Sequence, residues 1–153
     1  MDAEKIDGVL KGMTNFGGIF DDNQLESVKI LSLPVMLIVN CNQHWISLYI
    51  DEKVLEVMDS IGLVKDEKVN PHLCRFLCAH MVGKDFVATP KLQRDGSEVC
   101  GKFAVSFLVY KSLTQKPLKK FLTVFSRDYS RNSRNISEIY QTILDLVIKL
   151  KGE

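Results

Sequence analysis

The sequence has no run of about 18 uncharged apolar residues, and so we expect no membrane-spanning segment. Prolines number only four in 153 residues, and the apolar (46%) and charged (25%) shares are those of globular proteins, which excludes wholesale disorder. The first ten residues are charged and lack an apolar core, so we expect no secretory signal and an intracellular location. Repeats and linkers are also missing, which predicts one domain over residues 1–153.

An excess of charge is likewise absent, because the formal net charge is +1. The charge is nevertheless uneven: residues 111–153 carry nine Lys or Arg against four Asp or Glu. This basic C-terminal region could make a non-specific contact with DNA, and a solvated helix face is the alternative interpretation.

The chain contains four cysteines, and without a secretory context we expect them to be free thiols. They are Cys41, Cys74, Cys78 and Cys100. His72, Cys74, Cys78 and His80 raise the alternative of a zinc site. Four ligands from one helix close a tetrahedron poorly, so we expect a buried, partly polar helix face and no metal.

Hydrophobic periodicity predicts an α+β fold with a mixed or antiparallel sheet packed on a buried central helix that starts at Cys100. Ser137 is the predicted N-cap of the last helix, and the glycine-rich residues 16–22 are predicted to form a turn-rich loop. The predicted strands are 35–39, 45–50, 54–58 and 86–88, and the predicted helices are 3–13, 66–82, 100–113, 117–125 and 137–151.

Two polar residues flank the predicted hairpin. His44 precedes one strand, beside the only tryptophan (Trp45), and Asp59 follows the next strand. In an antiparallel pair these two positions lie at the same end, so we expect His44 and Asp59 to be neighbours. A carboxylate beside an imidazole fixes its tautomer and stabilises its protonated form.

Cys100 lies at a predicted loop-to-helix junction, where the helix dipole and free backbone N–H groups favour the thiolate. Gly101 lets a substrate backbone approach closely. Gln93, in the preceding polar loop, could donate to a developing oxyanion. Each residue alone also fits a purely structural role, and the prediction of a catalytic site depends on their order and their positions at element boundaries.

This ordered set resembles the adenovirus-protease branch of the cysteine proteases, a superfamily that also includes the SUMO and other ubiquitin-like proteases. The family order is His-Trp, an acidic residue ending the next strand, Gln, and Cys-Gly opening the central helix. The corresponding positions here are His44-Trp45, Asp59, Gln93 and Cys100-Gly101. The stretch Gly18-Ile19-Phe20-Asp21 also resembles an early Gly-Thr-Tyr-Asp of the adenoviral enzyme, and the likeness covers about residues 10–115.

The resemblance implies a role for each site residue. His44 would be the general base, Asp59 would orient it, and Cys100 would attack the scissile carbonyl. Gln93 would form the oxyanion hole with the Cys100 backbone N–H, and Trp45 would pack near the site.

Two departures from the family pattern bear on the substrate and on activation. Val99 stands where SUMO proteases usually carry Asp, which weakens the deSUMOylase interpretation. Val82 stands near the position where the adenoviral enzyme carries the cysteine that binds its activating peptide. We therefore do not transfer that activation, although an activating peptide or DNA stays an open expectation.

The resulting hypothesis is a viral cysteine endopeptidase that cleaves capsid or core precursors during virion maturation, in the host nucleus and the virion. The alternative is a deSUMOylase or deubiquitinase-type isopeptidase. A third hypothesis is a catalytically idle scaffold, against which the four intact site residues argue. Protein substrates are expected in the first two cases, with no resident cofactor and no membrane partner.

Overall fold

A five-stranded mixed sheet with the order β1-β2-β3-β4-β5 organises the chain in a computed structural model, which describes residues 1–64 and 66–152. Strands β2, β3 and β4 run antiparallel, and each edge strand is parallel to its neighbour. The predicted hairpin is therefore confirmed. The strands are β1 (Phe16–Asp21), β2 (Val35–Cys41), β3 (His44–Ile50), β4 (Val54–Met58) and β5 (Asp85–Ala88).

Helices cover both faces of this sheet. They are α1 (Ala3–Leu10), α2 (Pro71–His80), α3 (Cys100–Thr114), α4 (Leu118–Phe121) and α5 (Tyr129–Lys151), with 3-10 helices at Asp22–Ser27 and Leu122–Val124. On one face α3 lies against β3, with α1 and α5 beside it. On the other face α2 and the first 3-10 helix close a second apolar cluster around Leu37, Ile46 and Leu55. None of these helices is long and apolar enough to cross a membrane.

Helix α3 is the centre of the larger apolar cluster. Phe103, Phe107 and Leu108 are fully buried, and the helix is apolar on nearly every side. A helix with this pattern must be covered all round, which the sheet, α1 and α5 accomplish. The predicted α+β fold, with a buried helix that begins at Cys100, is confirmed.

A buried ion pair joins this helix to the sheet. The Nζ of Lys111 on α3 lies 2.7 Å from the Oε1 of Glu56 on β4, and both side chains are over nine-tenths buried. The other carboxylate oxygen accepts the backbone N–H of Leu118 at 2.6 Å, at the start of α4. Lys111 therefore does not contribute to the basic surface that the sequence predicted.

The prediction of a loop over residues 16–22 is wrong, because residues 16–21 form edge strand β1. A Cβ on Gly17 would lie 2.8 Å from Cδ2 of Leu37 and 2.9 Å from Cγ2 of Val35. The glycine thus allows close approach between β1 and β2, and the pairing shifts register between Phe16 and Gly18.

The last helix begins eight residues earlier than predicted. Its N-cap is Asp128, which accepts the backbone N–H of Arg131 at 3.0 Å, whereas Ser137 lies inside the helix. The first two turns of α5 are polar, so the apolar periodicity that predicts this helix does not extend to its start. Helix α3 matches its predicted bounds to within one residue, but three other helices were predicted too long: α1 ends at Leu10, α2 begins at Pro71, and the segment 117–125 divides into α4 and a 3-10 turn.

Candidate active site

A tight turn positions the histidine. Asn42 and Gln43 both have positive φ (51° and 66°), the backbone of a two-residue hairpin turn that matches the twist of the strands. The backbone N–H of Gln43 donates to Oδ1 of Asn40 at 2.9 Å. His44 therefore opens β3 directly after the turn, in register with Cys41 on β2.

His44 and Asp59 are in direct contact, as predicted. Nε2 of His44 lies 2.6 Å from Oδ1 of Asp59, and the aspartate is fully buried just after β4. The carboxylate also accepts the backbone N–H groups of Ile61 (3.1 Å) and Leu63 (2.8 Å). These bonds fix the carboxylate in the orientation that meets the imidazole.

Cys100 interacts with the other side of the imidazole. Nδ1 of His44 is buried and has no conventional hydrogen-bond partner among the residues described, and the Cys100 thiol is its neighbour. Burial opposes protonation of His44, but its interactions with the Asp59 carboxylate and with Cys100 raise its pKa to about 9. Burial also disfavours the Cys100 thiolate, but the His44 side chain and the backbone N–H of Trp45 lower the pKa of the thiol. Both shifts favour the charged thiolate and imidazolium forms of the pair.

The other cysteines with shifted acidity differ from Cys100. Burial raises the pKa of Cys41 to about 12, and burial also raises the pKa of Cys74. The Cys74 thiol donates to the carbonyl oxygen of Val64 at 3.2 Å, and Cys78 is exposed. In residues 1–64 and 66–152 no group of three His, Cys, Asp or Glu residues has the geometry to hold a metal ion.

Gln93 is buried in the loop between β5 and α3, and its amide is held at both ends. Its Oε1 accepts a short hydrogen bond from the hydroxyl of Ser60, and its Nε2 donates to the carbonyl oxygen of Ser97 at 2.8 Å. The amide nitrogen carries two hydrogens, so one N–H is left for a further acceptor.

Ser60 is a functional candidate that the sequence did not reveal. Besides its hydroxyl bond, its carbonyl oxygen accepts the backbone N–H groups of Leu92 (2.7 Å) and Gln93 (3.2 Å). The preceding residue, Asp59, is tied to Thr89 by reciprocal bonds of 2.8 and 2.5 Å. The segment 59–60 thus connects the carboxylate of the site to the Gln93 loop.

Asn132 is a second such residue, fully buried on α5. Its Nδ2 donates to the carbonyl oxygens of Leu92 (2.9 Å) and Ser126 (2.7 Å), and its Oδ1 accepts the Ser126 N–H at 3.0 Å. These bonds hold the last helix against the Gln93 loop. Only its polarity beside an apolar helix face could have suggested it from sequence.

Trp45 packs beside the nucleophile, as predicted. The space beside Gly101, which was predicted to admit a substrate backbone, is occupied by Met1 and Trp45. The indole Nε1 of Trp45 donates to the carbonyl oxygen of Met1 at 2.8 Å. A Cβ on Gly101 would lie 2.9 Å from Sδ of Met1 and 3.2 Å from Cδ1 of Trp45. The glycine is therefore needed for this close packing at the first turn of α3.

The structure brings His44, Asp59 and Cys100 together, with Gln93 attached through Ser60. A thiolate at a helix N-terminus can attack an acyl carbon. An imidazolium that a buried carboxylate orients can then protonate the leaving group. The site residues therefore have the geometry of nucleophilic acyl transfer, and their individual catalytic roles stay predictions.

No protein-family model matches the sequence, and no curated protein matches it. Among solved structures, the central domain of the Lpg1148 protein from Legionella pneumophila is similar at 13% identity and a TM-score of 0.53, over 94% of this chain and 98% of that chain. ChlaDub1 from Chlamydia trachomatis matches at 15% identity and 0.50, over 95% and 79%. The ASFV pS273R protease matches at 14% identity and 0.47, over 80% and 59%. The first two likenesses show a shared fold.

Proposed function

We propose that the chain is a cysteine peptidase with His44, Asp59 and Cys100 as its triad. The observation that carries this proposal is the Asp59–His44 contact of 2.6 Å beside a thiol whose pKa is lowered. An idle scaffold has no need of a buried carboxylate aimed at an imidazole next to an activated thiol.

The proposed reaction begins with the Cys100 thiolate. Its sulfur bonds to the carbonyl carbon of the scissile amide, and the carbonyl electron pair moves to the oxygen. The C–N bond then breaks, and the amine leaves with a proton from Nδ1 of His44, which gives a thioester. His44 next takes a proton from water as the water oxygen attacks the thioester, and breaking of the C–S bond restores the thiolate and imidazolium.

The developing oxyanion would be stabilised by two kinds of donor. Helix α3 has no side-chain N-cap, so the backbone N–H of Cys100 is not used by a capping side chain. The second Nε2 hydrogen of Gln93 would be the other donor. Loss of one such donor usually costs about 10²–10³-fold in kcat.

Capsid or core precursor proteins of a DNA virus are the proposed substrates, which would give a role in virion maturation in the host nucleus and the virion. The support is the ordered sequence resemblance. Cys100 follows Gln93 by seven positions, which resembles the spacing in the adenoviral enzyme, and Val99 stands where SUMO proteases usually carry Asp. An isopeptidase acting on ubiquitin-like modifiers is the alternative.

The decisive experiment compares the wild-type protein with Cys100→Ala on both substrate classes. Precursor proteins encoded beside this chain should be cleaved by the wild type alone, and electrophilic ubiquitin-like probes should leave Cys100 unlabelled. Labelling by these probes without cleavage of precursors would favour the isopeptidase. Cleavage that survives Cys100→Ala would move the nucleophile elsewhere.

DNA contact is a further proposal, as an activator rather than as a reactant. Segment 116–134 carries six exposed Lys or Arg residues and one acidic residue, Asp128. Three arginines are replaced together in the variant Arg127→Gln, Arg131→Gln, Arg134→Gln. The slope of its log DNA affinity against log salt concentration should be shallower than that of wild type by the equivalent of about three phosphate contacts. Lys149→Gln, on the far end of α5, is the matched control. An unchanged salt slope in the triple variant contradicts this surface.

A further inference from the structure

Asn132 is a fully buried side chain near the start of α5, and its amide is bonded on every side. The two bonds to the backbone of Ser126 close the loop that precedes the helix. The second Nδ2 hydrogen goes instead to the carbonyl oxygen of Leu92, at 2.9 Å, in the loop between β5 and α3. Leu92 is itself buried, so this bond joins two elements in the interior of the protein.

The carbonyl of Leu92 and the backbone N–H of Gln93 belong to one peptide group, and that group is held at both edges. Its oxygen accepts from Nδ2 of Asn132 at 2.9 Å, and its N–H donates to the carbonyl oxygen of Ser60 at 3.2 Å. Because a peptide group is planar, bonds at its two opposite edges fix its rotation about the chain. That rotation sets the direction in which the side chain of Gln93 leaves the backbone.

The side-chain bonds of Gln93 need this fixed starting point. Its Nε2 donates to the carbonyl oxygen of Ser97 at 2.8 Å, but Ser97 belongs to the same loop and its own N–H donates to the carbonyl oxygen of Arg94 at 3.2 Å. The Ser97 bond therefore moves with the loop and does not place Gln93 relative to the sheet. The peptide group at 92–93 is where the loop is tied both to the end of β4, through Ser60, and to α5, through Asn132.

Two surface contacts join the same loop to the first turn of α5. Nη2 of Arg94 donates to the hydroxyl of Ser130 at 2.8 Å, and Nζ of Lys91 lies 5.9 Å from the centroid of the Tyr129 ring. The loop thus follows the start of α5 over residues 91–94, and the bond of Asn132 is the buried member of this set.

We propose that Asn132 is a positioning residue for Gln93, the proposed oxyanion donor, and that it acts through the peptide group at 92–93. The proposal rests on the peptidase function above and adds the start of α5 to the parts of the chain that the reaction needs. Asn132 lies outside residues 10–115, where the sequence resembles the adenovirus-protease branch. A misplacement of about 1 Å caused from a distance can slow an enzyme roughly 100-fold.

Kinetics separates this role from a purely structural one. Asn132→Ala should lower kcat about tenfold to a hundredfold and leave KM within threefold. Alkylation of Cys100 by iodoacetamide should stay within twofold, because displacement of iodide develops no oxyanion. Asn135→Ala is the matched control on the same helix, since Asn135 donates to the carbonyl oxygen of Val124 at 3.3 Å, and its kcat should stay within twofold. In a Gln93→Ala background, Asn132→Ala should change kcat less than twofold.

Hydrogen exchange followed by nuclear magnetic resonance measures the positioning without any substrate. The protection of the Gln93 backbone N–H, relative to the amides of β3, should fall at least tenfold in Asn132→Ala and stay unchanged in Asn135→Ala. A general loss of stability would lower the protection of β3 as well. Asn132→Ser keeps one hydroxyl donor, so it should show smaller effects in the same direction, and it carries the test if Asn132→Ala does not fold.

The outcomes distinguish this proposal from the proposed function. If wild type cleaves no peptide, the peptidase function fails, while loss of Gln93 protection in Asn132→Ala still establishes the positioning. Unchanged protection of Gln93, alkylation slowed as much as cleavage, or a full additional effect in the Gln93→Ala background overturns the proposal. Failure of both Asn132 variants to fold also overturns it, because Asn132 would then serve stability alone.

Discussion

The hydroxyl of Ser60 donates to the side-chain oxygen of Gln93, which leaves the amide nitrogen of Gln93 directed away from Ser60. Because Ser60 follows Asp59, one short segment orients both the histidine and the proposed oxyanion donor. Ser60 is therefore a positioning residue, whose effect on the reaction should act entirely through Gln93.

Ser60→Ala should lower kcat about tenfold and leave KM within about twofold, because a freed Gln93 amide loses its alignment with the transition state. Steady-state kinetics on a cleaved peptide measures both constants. Ser97→Ala is the matched control, since Ser97 contacts Gln93 through its backbone carbonyl. In a double-mutant cycle, Ser60→Ala should add nothing to Gln93→Ala, and full additivity would contradict the positioning role.

Cys100 should react with iodoacetamide at pH 6.5 at least tenfold faster than Cys41 or Cys74. The pKa of Cys100 is lowered, whereas burial raises the pKa of Cys41 to about 12 and also raises that of Cys74. Mass-spectrometric mapping of the labelled thiols against time gives the rates. His44→Ala should slow labelling of Cys100 and move its pH midpoint upward. Equal rates at the three thiols would show that Cys100 is not activated.

Peptidase activity and alkylation should separate at high pH. The pKa of His44 is raised to about 9, so the imidazolium is present below that pH and is lost as pH rises through it. The Cys100 thiolate persists above pH 9, because the pKa of that thiol is lowered. Activity should therefore fall through about pH 9 while the alkylation rate of Cys100 does not, and profiles that fall together would contradict His44 as the proton donor to the leaving amine.

Lys111→Met should lower the free energy of unfolding by about 3–5 kcal/mol, because it leaves the buried Glu56 carboxylate without its cation. Urea denaturation measures the change. The double variant Glu56→Gln, Lys111→Met should recover part of the loss. Lys119→Met is the exposed control, with an expected change within about 0.5 kcal/mol. A loss of similar size at both lysines would mean that the ion pair is not the cause.

The sequence was sufficient wherever local pattern decides structure. The apolar runs predicted β2, β3, β4 and α3, and the hairpin logic predicted the contact between His44 and Asp59. The sequence did not predict β1, because Gly17 is needed there to let the chain approach side chains of β2, about twenty residues further along the sequence. It failed at the start of α5, where polar turns are held by a cap and by Asn132.

The sequence also did not predict the long-range polar contacts. Ser60 and Gln93 are 33 residues apart, and Asn132 lies 40 residues from Leu92. No periodicity or spacing predicts such pairs, since each depends on the finished packing of the sheet against α5. The sequence therefore predicted the residues of the proposed triad but not the residues that hold them.

The site requires the length of the two-residue turn at Asn42 and Gln43 as well as its own side chains. Insertion or deletion of one residue there would shift the register of β3 by one, turning His44 away from Asp59 and moving Ile46 out of its apolar layer. Among homologues, the length of this turn should be invariant. Length variation should instead collect in the loop of residues 28–34, which leads into β2 without setting its pairing with β3.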